Sequence, residues 1–458
     1  MISVGSAGFL LFAALLTLLW YRTPVLRRWQ LMLVAGVLFY VSLDGKGFPI
    51  LLASTACVWW AAPRAAEGQK GAKWFGLAAS LGPLLVLKYT GMVWSGALHW
   101  LQPLGLAYYS MQLIGYWADV YRHRIKAESN FARLLCYVSF FPCITQGPFN
   151  RYDDLMPQFD ATPLRCDSQR LWYGCMRMAW GYFKKLAIAE RAAIVVNTAF
   201  ADPAKFNRAQ LIFAAVMFTV QLYADFSGYT DIVLGLGEML GLRLPENFRQ
   251  PYFAASVKEL WNRWHISLSR WFRDYVYIPL GGNRKGKLRQ TCNLLVTFLV
   301  SGLWHGASLT FVVWGALHGI AQALENHLPL SRAPRGVERV FRALATYAFM
   351  VATCVIFHAD SLVAAMAYLK GIVCQPETAV FSIYWELGLT SRLELLMLLA
   401  GTVMLFAVDL LHERGVHLRQ WVAAQRTLLR WAVYECAIFG FLLMGYFLSG
   451  GSFLYARF

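Results

Sequence analysis

Histidine titrates close to neutral pH, so one imidazole can take a proton from a hydroxyl and return it to a leaving group. Three segments place such groups, or paired carboxylates, inside otherwise apolar sequence. The first, "YADFSGYTD", carries Asp225, Ser227 and Asp231 just after an apolar run. The second, "RWHISLSRWFRDYVYIPLGGNRKG" from Arg263, carries His265 among aromatic residues, with Trp261 just upstream. The third, "SGLWHGASLTFVVWGALHG" from Ser301, carries His305, with Trp304 beside it, and His318. In such surroundings an ionisable residue marks a buried site or pathway, or bonds one helix to another. For His305 both readings stand: acid–base work of the kind that suits acyl transfer, and an interhelical hydrogen bond. At about 100° per residue His318 would not share a helix face with His305, and its plainer role is structural. For Asp225 and Asp231 the plainer reading is ion pairing with nearby arginines, and the sharper one is a proton relay. A covalent serine mechanism has no support, since no G-x-S-x-G elbow, P-loop or Rossmann glycine pattern occurs in a usable context.

Long apolar elements must position these groups. The 458-residue chain is 58% hydrophobic and only 15% charged, far from an average soluble domain. A bilayer core of about 30 Å takes roughly 20 apolar helical residues to cross. Ser6–Tyr21, Trp74–Val86, Leu211–Leu222, Ala307–Leu324, Leu344–Phe357, Leu395–Leu411 and Trp431–Leu448 come close, and weaker runs raise the expectation to about 11 to 13 helices. Backbone polar groups in lipid must bond internally, and the runs are solidly apolar rather than alternating, so the fold class is an all-α polytopic membrane protein. No basic region precedes the first run, which reads as a retained span rather than a cleaved signal.

Around His265 the large residues Trp261, Trp264, Leu268, Trp271, Phe272 and Tyr275 oppose a polar stripe of Arg263, Ser267, Arg270 and Asp274. That pattern predicts one amphipathic helix of at most about 20 residues, closed by Pro279, Gly281 and Gly282. Leu171–Ala199 interleaves Trp172, Trp180 and Phe183 with Arg177, Lys184 and Lys185. It reads either as a helix lying on the membrane surface or as a tilted span with a snorkelling basic end. The more polar Arg151–Arg170 reads as an interfacial loop. Gly302 and Gly306, flanking "LWH", allow close approach of a substrate or another helix.

The net charge of +17 is spread over connectors rather than gathered on one soluble face, which argues against nucleic acid and for topological anchors and lipid headgroup contacts. Arg22, Arg27 and Arg28, then Arg64, Lys70 and Lys73, then Arg122, Arg124 and Lys126, fall on alternate connectors. By the positive-inside rule this puts the amino terminus outside, and Arg284, Lys285, Lys287 and Arg289 in the cytoplasm. The nine cysteines show neither C-x-x-C pairs nor ligand spacing, so they read as small hydrophobes with no metal site. With no linker, repeat or low-complexity tract, residues 1–458 read as one membrane domain.

"LYADFSGYTDIVLGLGEMLGLRLPENFRQPY", "LWNRWHISLSRWFRDYVYIPLGGNRKG" and "SGLWHGASLTFVVWGALHG", with "PLGLAYYSMQLIGYWADVYR" and "FFPCITQGPFNRY" upstream, closely resemble the membrane-bound O-acyltransferase (MBOAT) superfamily. The likeness is to the bacterial branch that serves alginate O-acetylation and teichoic acid D-alanylation. It covers about the central half of the chain, residues 103–320, in family order. The resemblance implies a ring of tilted helices around a thin central region, with funnels from both faces meeting at a tunnel. It also implies His305 as the catalytic residue and His265 as the second polar position, where many eukaryotic members have asparagine.

On that resemblance the expected function is a bacterial inner-membrane O-acyltransferase, which moves acetyl from acetyl-CoA toward hydroxyls of an exported cell-envelope polysaccharide. Extracytoplasmic acyltransferase partner proteins complete the transfer. Asp225, Ser227, Asp231, Trp261, Arg263, Trp304 and His318 are expected to line or support the tunnel, and Arg284, Lys285 and Lys287 to serve either as plain topological anchors or as a hold for the donor's phosphates at the cytoplasmic mouth. The near alternative is D-alanyl transfer from a carrier-protein thioester to teichoic acid. The rival from another class is a transporter or channel with a histidine and aspartate proton path.

Overall fold

The computed structural model describes residues 3–93, 103–161, 166–328, 334–376 and 383–446. Residues 447–448 of the last expected span and 162–165 of the expected interfacial loop lie outside them. The first third of the fold is α1 (Ala7–Arg22), α2 (Arg28–Asp44), α3 (Phe48–Ala66), α4 (Lys70–Val93), α5 (Leu106–Tyr121) and α6 (Phe131–Val138). Two single turns follow, α7 (Tyr152–Leu155) and α8 (Pro157–Asp160). Then α9 (Ser168–Phe183) runs through a π-helical segment, Lys184–Ala189, into α10 (Glu190–Ala201). Next come α11 (Arg208–Leu240), α12 (Val257–Arg263), α13 (Ile266–Phe272), α14 (Lys287–His305) and α15 (Leu309–His327). The last third is α16 (Gly336–His358), α17 (Leu362–Cys374), α18 (Ile383–Glu386), α19 (Arg392–Glu413), α20 (Leu418–Ala423) and α21 (Thr427–Met444). The all-α fold class holds, with no strand among the described residues.

The long central helix α11 has well-defined ends. Asn207 and Gln210 form a reciprocal capping box at its start, and Gly241, at φ 76°, lets the chain turn back so that Gly241 N–H and Leu242 N–H bond the carbonyls of Glu238 and Gly237. Such caps satisfy groups that the helix itself leaves open. Its 33 residues make a rod of about 50 Å. The first half packs Leu211, Phe218 and Leu222 into a core with α10, α16, α17 and α19. The second half packs Tyr229, Ile232 and Leu236 into a core shared with α1 to α6. The helix is therefore the seam between two cores.

Five described helices are long and apolar enough to cross a membrane: Val25–Asp44, Arg208–Leu240, Gly336–His358, Arg392–Glu413 and Thr427–Met444. This is fewer than hydropathy suggests: Ser6–Tyr21 folds into a 16-residue helix, about a turn short of the roughly 20 needed, while Trp74–Val86 and Ala307–Leu324 lie in helices of 24 and 19 residues that are less apolar over their full length. Large apolar side chains on the outer faces, Leu11, Leu18, Val403, Leu428 and Leu443 among them, are exposed, as expected of lipid-facing surfaces in a multi-pass membrane protein.

Two local expectations change. The basic end of Leu171–Ala199 does not snorkel: Lys184 and Lys185 are 3% and 2% exposed, held inward against α11. Gly181 and Gly228 bring α9 and α11 so close that a Cβ on Gly181 would stand 2.5 Å from the Gly228 carbonyl oxygen. The single amphipathic helix expected from Trp261 is two helices, broken at Trp264 and His265. Backbone bonds from Arg249 N–H to the Arg263 carbonyl (2.9 Å) and from Ile266 N–H to the Asn247 carbonyl (3.0 Å) tie the break to a preceding loop. The apolar stripe is real, but these tertiary bonds interrupt the rotation that carries it.

Candidate active site

His305 is the last residue of α14. Gly306 is extended, and a Cβ there would meet the Phe311 ring at 2.1 Å, so the chain leaves the helix and is recaptured at α15 by the Ser308 cap. The final carbonyls of a helix lack partners within it. Here Lys88 of α4 supplies them, its ammonium donating to the carbonyls of Trp304 (2.6 Å) and His305 (2.9 Å), while the Tyr89 hydroxyl donates to the Leu303 carbonyl. A cation at a helix C-terminus also suits the helix dipole. The buried His305 ring sits edge-on to Trp304, Trp314 and Phe357, with centroids 4.8, 5.2 and 5.3 Å away. As expected, Gly302 serves helix approach: it meets Gly315 of α15, with the Phe311 carbonyl 2.3 Å from its built Cβ.

His265 occupies the break between α12 and α13 in a left-handed conformation, φ 43° and ψ 51°, which is uncommon for a residue with a side chain and costs about 1–3 kcal/mol. Its ring stacks on Phe149 at 6.0 Å and meets Phe226 of α11 edge-on at 4.7 Å. Nδ1 stands 3.4 Å from Oδ1 of the fully buried Asn247. That same oxygen accepts from Ser267 N–H (3.2 Å) and the Ser267 hydroxyl (2.6 Å). Trp304 meets both histidines edge-on, with ring centroids 6.5 Å from His265 and 4.8 Å from His305, and its N–H donates to the Ala107 carbonyl.

Both imidazoles line one cavity, with Trp261, Trp264, Trp314 and Phe357 as its aromatic walls and Leu222, Met350 and Cys354 completing it. It has room for about one water molecule. No carboxylate or ammonium is among the described lining residues. The arrangement offers proton-transfer groups between apolar walls with little room for water, where electrostatic interactions are strong.

His318 lies elsewhere. It accepts at Nδ1 from the indole N–H of the cavity wall residue Trp261 (3.2 Å), and Nε2 stands 3.1 Å from the Thr353 hydroxyl oxygen, an arrangement that fits the structural reading. The aspartates are ion-paired as expected, though Asp225 pairs with a lysine: Asp225 with Lys185 (2.7 Å), and Asp231 with both Lys184 (2.5 Å) and Arg177 (2.9 Å). Ser227 accepts from Lys184. None of these three residues lines the cavity. Arg263 clamps Glu259 and Glu413, which Arg339 also contacts, tying α12 to α16 and α19 rather than entering the site. Arg284 and Lys285 are exposed on the connector into α14, and Lys287 is exposed at that helix's first position.

Sequence reasoning missed Lys88, Asn247 and the α16 contributors Met350, Cys354 and Phe357. Lys88 gave one signal, an ionisable residue just past an apolar run. Asn247 gave none beyond its place in the quoted "PENFRQPY".

The profile of the membrane-bound O-acyltransferase (MBOAT) family matches residues 122–367. The chain is 43% identical over 266 residues to a probable alginate O-acetylase AlgI of Pseudomonas fluorescens, covering 58% of this chain and 52% of that protein. It is 32% identical over 414 residues to a peptidoglycan O-acetyltransferase of Helicobacter pylori, covering 81% and 77%, and 27% identical over 263 residues to a teichoic acid D-alanyltransferase of Streptococcus thermophilus, covering 53% and 61%. The matched stretch thus spans about half the length of the alginate relative. Both histidines of the cavity fall within the profile match, and the chain belongs to the membrane-bound O-acyltransferase family.

Proposed function

We propose that the chain is a membrane O-acyltransferase that moves an acetyl group from acetyl-CoA toward a hydroxyl of an exported cell-envelope polysaccharide. The observation that carries this reading is the convergence of His265 and His305, from separate elements, on one buried and otherwise apolar cavity. His305 acts as general base. It takes the proton as the hydroxyl oxygen attacks the thioester carbonyl carbon, and the new C–O bond forms as the C–S bond breaks. The imidazolium then returns that proton to the departing thiolate. Family membership and the alginate and peptidoglycan O-acetylating relatives support acyl transfer to an envelope polymer. The lining supports acetyl over D-alanyl, because a D-alanyl ammonium would need an anionic partner and no carboxylate is among the described lining residues. In this reading the protein sits in the bacterial inner membrane with its amino terminus outside, Arg284, Lys285 and Lys287 meet the donor's phosphates on the cytoplasmic side, and extracytoplasmic partner proteins carry the acetyl group onward.

The test is His305→Ala expressed with its partner proteins at membrane levels equal to wild type, measuring ester-linked acetate and D-alanine on the purified envelope polymer. Ester-linked acetate should fall by about 100-fold or more. Unchanged esterification would remove the catalytic assignment, and loss of D-alanine with acetate intact would change the donor class.

A further inference from the structure

Asn247 does more than fill space beside His265. The orientation of its amide is fixed by its neighbours: Ser267 N–H, a donor with no accepting capacity, points at one atom of that amide, which must therefore be the oxygen. The Ser267 hydroxyl agrees, since it already accepts from Phe149 N–H (2.9 Å) and spends its own proton on the same oxygen. His265 Nδ1 faces this oxygen as well. A lone pair on Nδ1 would oppose a lone pair on Oδ1, so the neutral ring carries its proton on Nδ1 and its lone pair on Nε2. The Asn247 carbonyl binds Ile266 N–H, so one residue fixes both the ring and the left-handed backbone on which it stands.

We propose that Asn247 is a positioning residue that holds His265 as the Nδ1-protonated tautomer, so that His265 meets the substrate only as a hydrogen-bond acceptor through Nε2. This rests on the acyl-transfer reading for its catalytic meaning, and it separates two roles open to the second histidine. A ring with a lone pair on Nε2 has no proton to offer a thioester carbonyl. It can accept the hydrogen of an incoming hydroxyl or of a neighbouring imidazole, and so orients the attacking side of the reaction rather than the electrophile.

The tautomer is read by 15N NMR on full-length protein with labelled imidazoles in lipid nanodiscs at pH 8, the His265 signals being identified by their loss in His265→Asn. Wild type should show a protonated Nδ1 and an unprotonated Nε2, and Asn247→Leu should show a mixture or the reverse. A wild-type ring protonated on Nε2, or a pattern unchanged by Asn247→Leu, overturns the proposal. With partner proteins present and membrane levels matched, ester-linked acetate should fall about tenfold in Asn247→Leu. Asn247→Asp, which keeps an accepting oxygen, should recover part of it. Equal acetate in Asn247→Leu and wild type would overturn the positioning role. The expected tautomer in a protein that makes no ester at all would leave Asn247 as the ring's orienter and remove the acyl-transfer reading instead.

Discussion

Lys88 shows how a residue remote in sequence sets the position of a candidate catalytic group. Its ammonium holds the carbonyls of Trp304 and His305, so the end of α14, and with it the His305 ring, is fixed from α4. Replacing it with methionine leaves those carbonyls without their charged donor, a loss of about 1.5–3 kcal/mol. Lys88→Met should lower the thermal unfolding midpoint in detergent and reduce ester-linked acetate, and Lys88→Arg should restore much of the stability. An unchanged midpoint in Lys88→Met would show that the cap is dispensable. His305 stood out as an ionisable residue in an apolar segment, and the family resemblance rather than its type alone made it the candidate catalytic group. Lys88 and Asn247 were not legible, since each acts through a partner more than fifteen positions away, and nothing in a linear pattern reports such a pairing.

Elements meet closely where glycines remove side chains. Gly174 and Gly181 on α9 face Gly235 and Gly228 on α11, and a Cβ on Gly235 would stand 2.6 Å from the Gly174 carbonyl oxygen. Gly181→Ala should destabilise by about 1–3 kcal/mol through overpacking. Gly440→Ala on α21, where nothing lies within 4 Å of the built Cβ, should be neutral or stabilising by up to about 1 kcal/mol. Equal melting shifts for the two variants would show that close helix approach is not what these glycines provide. At this scale the apolar runs were legible as helices, because hydropathy and length report the cost of leaving backbone groups unbonded in lipid. The break at His265 and the π-helical segment at Lys184–Ala189 were not. Both sit where the chain bonds to other elements, Asn247 in the first case and the acidic partners Asp225 and Asp231 on α11 in the second, and such pairings leave no trace in a linear pattern.

In the whole molecule, α11 is the seam between two cores, and the two histidines lie beside its Leu222 and Phe226. The fold class and family resemblance were legible because long ordered motifs survive in the sequence, whereas which helices enclose the cavity depends on packing that hydropathy does not encode. Cavity size has a consequence for fidelity. In the proposed acetyl transfer, an acetyl group entering a cavity with room for about one water would displace that water and leave the thioester with few stray nucleophiles beside it. Membranes carrying this protein, given radiolabelled acetyl-CoA but no acceptor, should therefore release free acetate scarcely faster than membranes carrying His305→Ala. Rapid release from wild type alone would mean that the enclosure leaks.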